Sequence, residues 1–406
     1  MVVSAFFLIG IAQVGARADE RVKVSVLRTP GSRLGEDGAM AVKPAVHGGQ
    51  VHRAARELGV SLSDICDFSA SINPLGPPQS VRQALLQSLD DIRFYPDATH
   101  AETKHTIANR YGVPEDNVLI ANGATEAIDL VLRTLSPSRV WIMEPSFSEY
   151  RAAALRNRLR VASVPLERPD FAPPWDRLVE EAQSGDCVIW NNPHNPSGRH
   201  VTRDGFSEPL KALAERGVAV LVDESFVDFL ADEAKNTALS EALQPGSRVV
   251  VVRSLTKFLA IPGLRFGFAM ADRAWVASID KLRDRWSVSH LAQKSASVGL
   301  RDRAFRDDTW NWLREEQQNV KAVWEPSALY QWQPTSVNFF LMRWANDELS
   351  RHLSRTLFNR GILIRLCQDF DRLGPAYWRV AIRSRSENEQ LHSAVQEILQ
   401  DRWPSV

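Results

Sequence analysis

The sequence is poor in cysteine. Three thiols, Cys66, Cys187 and Cys367, lie far apart in 406 residues. They form neither a disulfide framework nor a spaced set of metal ligands, so no metal is expected, and they suit a reducing cytoplasm. Net charge is missing too, since Lys+Arg and Asp+Glu both number 49. Such a balance offers no basic field for nucleic acid, and no run of like charges marks an interaction tail. Nor is any apolar run long enough to cross a bilayer. Ala5-Phe6-Phe7-Leu8-Ile9-Gly10-Ile11-Ala12 is too short, and no basic residue precedes it, although Ala16-Arg17-Ala18 has the small residues of a cleavage site. The working chain is expected to start near Met40, with residues 1–42 a poorly defined extension. Internal repeats and low-complexity segments are also absent. What remains is long enough for a large core and two or three domains.

From residue 100 onward the pattern is strand and helix in alternation. Val118–Ala121, Val140–Met143, Val161–Val164, Cys187–Trp190, Val218–Val222 and Val249–Val252 are apolar runs expected as strands, covered on both faces. Helices fit most of the gaps, starting with Asn122–Leu132. The fold class is therefore α/β, a mostly parallel sheet flanked by helices. Helical patterns continue to about Lys321. Strands at Ser336–Met342, Gly361–Arg365 and Trp378–Arg383, with helices at 347–359 and 387–399, then make a smaller α+β domain. Before residue 100, Gly48-Gly49 opens a short helix stopped by Gly59, and Asp67–Pro78 is a Pro-rich loop. Val81–Leu89 is expected as a helix presenting Val81, Leu85, Leu86 and Leu89 on one face. The expected division is 43–90, serving the small domain and the site; 91–300, the large domain; and 301–406, the small domain.

Chemistry-bearing residues gather where strands end. Lys257 follows the Val249–Val252 strand, flanked by Ser254 and Arg265, a hydroxyl and a cation suited to a phosphate monoester. A lysine able to form a Schiff base beside a phosphate anchor points to pyridoxal 5'-phosphate. Asn122-Gly-Ala-Thr125 is a strand-to-helix turn whose free N–H groups favour an anion. Asp223 ends another buried run, and a carboxylate there needs a partner such as a protonated pyridine nitrogen. Asn195 sits in the rigid loop Asn191-Asn-Pro-His-Asn-Pro-Ser-Gly198. Each alone has an ordinary reading: a surface lysine, a helix start, an N-cap aspartate, a loop asparagine. The combination is what points to a cofactor.

The ordered series Gly123-Ala-Thr125, Asn192-Pro-His-Asn-Pro-Ser-Gly198, Asp223-Glu-Ser-Phe226 and Ser254-Leu-Thr-Lys257, with Arg265 beyond, resembles the class I/II aminotransferase family over roughly residues 45–400. The resemblance implies a fold-type-I pyridoxal-phosphate enzyme, homodimeric, with active sites at the subunit interface. It implies Lys257 as Schiff-base lysine and proton shuttle, Asp223 as partner of the ring nitrogen, and Asn195 as partner of the 3-oxygen. Ala124, Thr125, Ser254 and Arg265 would surround the phosphate. Phe147 matches the ring-stacking position, and Tyr95 a tyrosine that reaches in from the other subunit. By analogy Arg379 grips a substrate carboxylate.

Within that family the chain is similar to two branches, the histidinol-phosphate aminotransferases and the threonine-phosphate decarboxylases of cobalamin synthesis. His47-Gly-Gly resembles the opening of the decarboxylases. Ser69-Ala-Ser-Ile-Asn-Pro-Leu-Gly76 resembles their Ser-x-Asn-Ile-Asn-Pro-Leu-Gly loop, with Ser71 a departure. Phe226 stands where aminotransferases usually carry a tyrosine. The expected reaction is decarboxylation of L-threonine O-3-phosphate, with amino transfer as the alternative. Arg365 would bind the substrate phosphate, with His47 and Asn73 as further contacts; His47 also reads as a simple turn or core histidine. A regulatory module that binds the cofactor without turnover would need a DNA-binding segment, and residues 1–39 are too short and too apolar for one.

Overall fold

The computed structural model describes residues 47–402, so the extension at 1–42 and its leader-like run lie outside the described residues. Helix α1 (Val51–Leu58) ends at Gly59, whose φ of 69° is left-handed as a glycine stop requires. A single 3-10 turn (Leu62–Asp64) and the two-residue β1 (Cys66–Asp67) lead into the Pro-rich stretch, which is irregular up to α2. Helix α2 (Gln79–Gln87) turns inward only part of the face expected, with Leu85 half-buried against the core beside Val81. Val81 and Ala84 are buried, whereas Leu86 is 71 % exposed and Leu89, past the helix end, 47 %. The inward stripe of the helix is set by Val81, which packs close to Gly299.

From α3 (Ala101–Tyr111) the alternation runs as the apolar pattern predicts: β2 (Val118–Ala121), α4 (Gly123–Leu135), β3 (Val140–Glu144), α5 (Ser148–Arg156), β4 (Val161–Pro165), α6 (Trp175–Glu181), β5 (Cys187–Asn191), α7 (Ser207–Glu215), β6 (Ala219–Asp223), the short α8 (Leu239–Ala242) and β7 (Val249–Ser254). An unanticipated strand, β8 (Gly267–Met270), lies antiparallel between β2 and β7. The sheet order is β2-β8-β7-β6-β5-β3-β4, and β3 to β7 are mutually parallel. Along these strands Val118, Ile120, Val249 and Val251 enter one core, while Leu119, Ala121, Val250 and Val252 enter the other. Two-sided burial explains the unbroken apolar runs, and each such Val, Leu or Ile side chain contributes about 1.5–3 kcal/mol. The edge strand β4 departs from this, with Ser163 exposed and Val161 and Ala162 half-buried.

Next come α9 (Arg273–Asp280), α10 (His290–Arg301) and α11 (Arg303–Val323), whose first turns are capped by the side chains of Asp272, Ser289 and Asp302. A boundary at residue 300 thus falls in the last turn of α10. Then follow β9 (Tyr330–Trp332), also unanticipated, β10 (Phe339–Trp344), α12 (Asp347–Asn359), β11 (Ile362–Leu363), β12 (Arg365–Leu366), β13 (Tyr377–Ala381) and α13 (Arg385–Arg402). The run Gly361–Arg365, expected as one strand, serves two sheets. β11 pairs in parallel with β1, and β12 joins the antiparallel sheet β12-β13-β10-β9. Phe339, Trp344 and Leu353 share one apolar cluster with Val118 and Val249, so the small sheet is fastened to one face of the large one. Among the described residues no helix is long and apolar enough to cross a membrane.

Candidate active site

The carboxyl ends of β2, β3, β5, β6 and β7 open on a cavity of about 1210 Å³, closed opposite by β12, β13 and the segments His47–Gly49 and Ala70–Ile72. Ligands of open α/β sheets bind at such an edge. Lys257 enters the cavity just past β7, with Nζ 5.0 Å from the centre of the Phe226 ring. Burial lowers its amine to about 8; Arg379 and Arg265 push the same way and Asp223 opposes them. Asp223, at the end of β6, is buried. Its Oδ1 accepts from the Ser225 N–H at 2.9 Å and its Oδ2 from the Tyr150 hydroxyl at 2.6 Å. Burial, and then the Asp223 carboxylate, raise the Tyr150 phenol well above its ordinary value, so it stays a donor.

At the end of β2 the chain turns into α4 through Gly123, whose φ is 81°. A Cβ there would lie 2.5 Å from Arg265 Nη2, so the guanidinium sits against the bare backbone of the turn. Arg265 also donates to Thr125 Oγ1 at 3.3 Å, and Ser254 Oγ lies 2.8 Å from Thr256 Oγ1. Free N–H groups, three hydroxyls and a cation thus meet at one spot, which fits a phosphate.

Across the cavity, Arg379 on β13 donates through Nη1 to Asn195 Oδ1 at 2.8 Å and through Nη2 to the Ser69 carbonyl at 2.7 Å. Its Nε is buried with no partner. Arg365 lies directly opposite it on β12, donating to Asp369 Oδ2 at 2.8 Å beneath the Phe370 ring. Burial, and then Arg365, lower Arg379 to about 10. Like charges opposite each other on adjacent strands repel, and an anion between them would relieve that repulsion. The buried hydroxyls of Ser71 and Ser225 also reach the cavity without a partner.

The fold brings together Ala124, Thr125, Phe147, Asn195, Asp223, Ser254, Lys257, Arg265, Arg365, Arg379 and His47. His47 is no core histidine: it is partly exposed, and its ring meets Glu149 at 3.1 Å and Phe147 at 5.7 Å. Asn73 is a correction. Its amide donates to the Phe258 carbonyl and to Thr309, both at 2.9 Å, its Oδ1 accepts from Leu75, and its N–H holds the Lys257 carbonyl. It supports the lysine's backbone and is absent from the lining of the cavity. Tyr95 is 81 % exposed beside Trp286, away from its own chain's cavity. Sequence reasoning missed Tyr150, Thr256 and His194. His194 spans Ser197 Oγ and the Pro145 carbonyl, joining two site loops, and burial holds it neutral at about 4. All three lie within or beside the stretches that carry the named residues, but only Asp223's need for a buried donor could have singled out Tyr150.

The pattern of the family described as Aminotransferase class I and II matches residues 63–398. The chain is 36 % identical over 366 residues to the threonine-phosphate decarboxylase of Salmonella typhimurium, covering 89 % of this chain and 98 % of that one. Two solved structures attest the fold. The L-threonine-O-3-phosphate decarboxylase from Porphyromonas gingivalis matches with a TM-score of 0.73 at 23 % identity, over 83 % of this chain and 100 % of that one. The histidinol-phosphate aminotransferase from Sinorhizobium meliloti, in complex with pyridoxal-5'-phosphate, matches with a TM-score of 0.77 at 19 % identity, over 91 % and 99 %.

Proposed function

This chain belongs to the class I and II aminotransferase family, and from that premise we propose that it is a pyridoxal-phosphate-dependent enzyme that decarboxylates L-threonine O-3-phosphate. The product is (R)-1-aminopropan-2-yl phosphate, for cobalamin biosynthesis. The observation that carries the reaction is the likeness, along nearly all of both chains, to the Salmonella decarboxylase.

The residues present fit the cofactor. The bare Gly123 turn with Arg265, Thr125, Ser254 and Thr256 would hold its phosphate, Asn195 its 3-oxygen, Asp223 its ring nitrogen, and Phe147 one face of its ring. Once bound, pyridoxal phosphate is an electron sink for the pair left when a bond to the substrate's Cα breaks. Lys257 would anchor the group covalently and could return a proton to the substrate's Cα; an amine near 8 is suited to both tasks. Tyr150 and the Ser225 N–H donate to the two oxygens of Asp223 and hold the carboxyl group in one orientation. Arg379 holds the substrate carboxylate and Arg365, with His47 at the rim, its phosphate. Two fixed ends determine which Cα bond is presented for cleavage, and that orientation separates decarboxylation from amino transfer.

A second copy completes the assembly. Leu86, Ile92, Phe94, Tyr95 and Trp286 form exposed apolar surface, and Leu282 continues it to the cavity mouth. Surface of this kind fits a homodimer in which Tyr95 enters the partner's cavity. The three free thiols suit the cytoplasm. Purified holoenzyme given threonine phosphate should release carbon dioxide. Amino transfer from histidinol phosphate to 2-oxoglutarate, with no carbon dioxide from threonine phosphate, would overturn the decarboxylase reading in favour of an aminotransferase.

A further inference from the structure

Behind the cavity, on the far side of β6 and β7, lies a buried ion cluster that no step of the reaction uses. Arg253 is fully buried at its centre. Its Nε and Nη2 donate to Glu224 Oε2 at 3.0 and 2.7 Å, Nη1 to Glu233 Oε1 at 2.5 Å, and Nη2 also to Thr237 Oγ1 at 2.8 Å. Its guanidinium packs 4.5 Å from the centre of the Tyr111 ring. Glu224 accepts further from Thr237 Oγ1 and the Ala238 N–H, and Arg110 reaches the other oxygen of Glu233.

The position of this cluster is what matters. Glu224 directly follows Asp223, and Arg253 directly precedes Ser254. Asp223 pairs with Val252 in the β6–β7 ladder, and the Glu224 N–H continues it to the Val252 carbonyl at 2.8 Å. Side chains alternate along a strand. Asp223 and Ser254 therefore face the cavity, while Glu224 and Arg253 pair on the opposite face. Burial pushes the Glu224 carboxyl up and Arg253 offsets only part of that rise, so the carboxylate depends on its partner. A buried ion pair is a poor source of stability, because apolar residues of the same size serve as well. Its directed bonds can instead specify one geometry.

We propose that Arg253 is a positioning residue for the cofactor site, locking the ends of β6 and β7 together through Glu224 so that Asp223, Ser254 and Lys257 keep their mutual spacing. This rests on the pyridoxal-phosphate reading of the site but not on the choice of reaction. Three variants test it, Arg253→Met, Arg253→Lys and the uncharged pair Arg253→Met/Glu224→Gln, whose new amide oxygen can still accept from Thr237 and Ala238. The measurements are the dissociation constant of pyridoxal phosphate, the pH midpoint of the bound cofactor's absorption change, and melting of the cofactor-free protein. Cofactor binding by the wild type, run alongside, tests the reading of the site separately. Arg253→Met leaves a buried carboxylate alone and melts early. The uncharged pair, in which Glu233 keeps Arg110 and Asp228 keeps only the Tyr111 hydroxyl, is expected to melt between Arg253→Met and the wild type, yet to bind the cofactor about tenfold or more weakly with a displaced pH midpoint. Arg253→Lys, which cannot bridge Glu224, Glu233 and Thr237 at once, falls between. An uncharged pair that folds and keeps both the wild-type dissociation constant and the wild-type midpoint overturns the proposal.

Discussion

The Tyr150 hydroxyl stands 2.6 Å from Asp223 Oδ2, a phenol donating to a carboxylate that is only 4 % exposed. Removing it leaves Asp223 with the Ser225 N–H as its other donor. Tyr150→Phe is expected to destabilise the protein by about 1.5–3 kcal/mol, the worth of a hydrogen bond to a charged group. It should also slow turnover several-fold without abolishing it. Calorimetric melting and steady-state kinetics check the two effects together, and an unchanged melt would mean that the bond carries little.

Lys257 sets the pH dependence of cofactor capture. The neutral amine is the reactive form, and burial brings the group from the usual lysine range to about 8. Capture of pyridoxal phosphate by the cofactor-free protein should accelerate from neutral pH and level off above about 8, as stopped-flow absorbance would follow. A lysine of ordinary acidity would still be accelerating at pH 10. The unfolded chain keeps its proton longer, so this residue also makes stability increase as pH rises from about 8 toward the unfolded value.

Arg365 should govern affinity for the phosphate end of the substrate. Replacing it alone would strand Asp369, so the informative variant is Arg365→Gln/Asp369→Asn. KM for threonine phosphate is expected to rise about 10- to 100-fold, the loss of one charge-assisted bond pair, while kcat changes far less. Competitive inhibition by inorganic phosphate should weaken in parallel. A fall in kcat with KM unchanged would instead assign Arg365 to orienting the scissile bond.

Gly267 on β8 runs directly beneath the anion turn. A Cβ there would lie 2.5 Å from the Gly123 carbonyl carbon and 2.6 Å from the Ala124 nitrogen, both backbone atoms that cannot swing aside. Gly267→Ala should displace the turn and weaken cofactor binding about tenfold or more. Fluorescence titration with pyridoxal phosphate measures it, and intact affinity would show that the turn tolerates movement.

Much of the large sheet was legible because strands covered on both faces carry unbroken Val and Ile runs, as Val249–Val252 does. The site was legible because a glycine turn at Gly123 and the polar residues Asn195, Asp223 and Lys257 stand at or just past the ends of those runs. Strand β8 was not, since it is a four-residue segment that starts on a glycine and only ladders on both sides make it a strand. Leu86 misled for the opposite reason. Its helical spacing promised a buried face, but that surface is left exposed in a single chain. Asn73 misled because residue type tells nothing of direction, and its amide points into a fully bonded interior.

The place of β8 also decides when the site can exist. β2 is an edge strand whose one ladder neighbour is β8, a segment that follows Lys257 in the chain. During synthesis β3 to β7 can assemble as their residues emerge, while β2 and the turn after it wait for the latest strand of the sheet. Such a long-range closure is slow to form. A chain that has emerged past Lys257 but not past β8 thus lacks the ladder that holds the turn after β2, and the seat for the phosphate is complete only when the sheet's last edge is sewn shut.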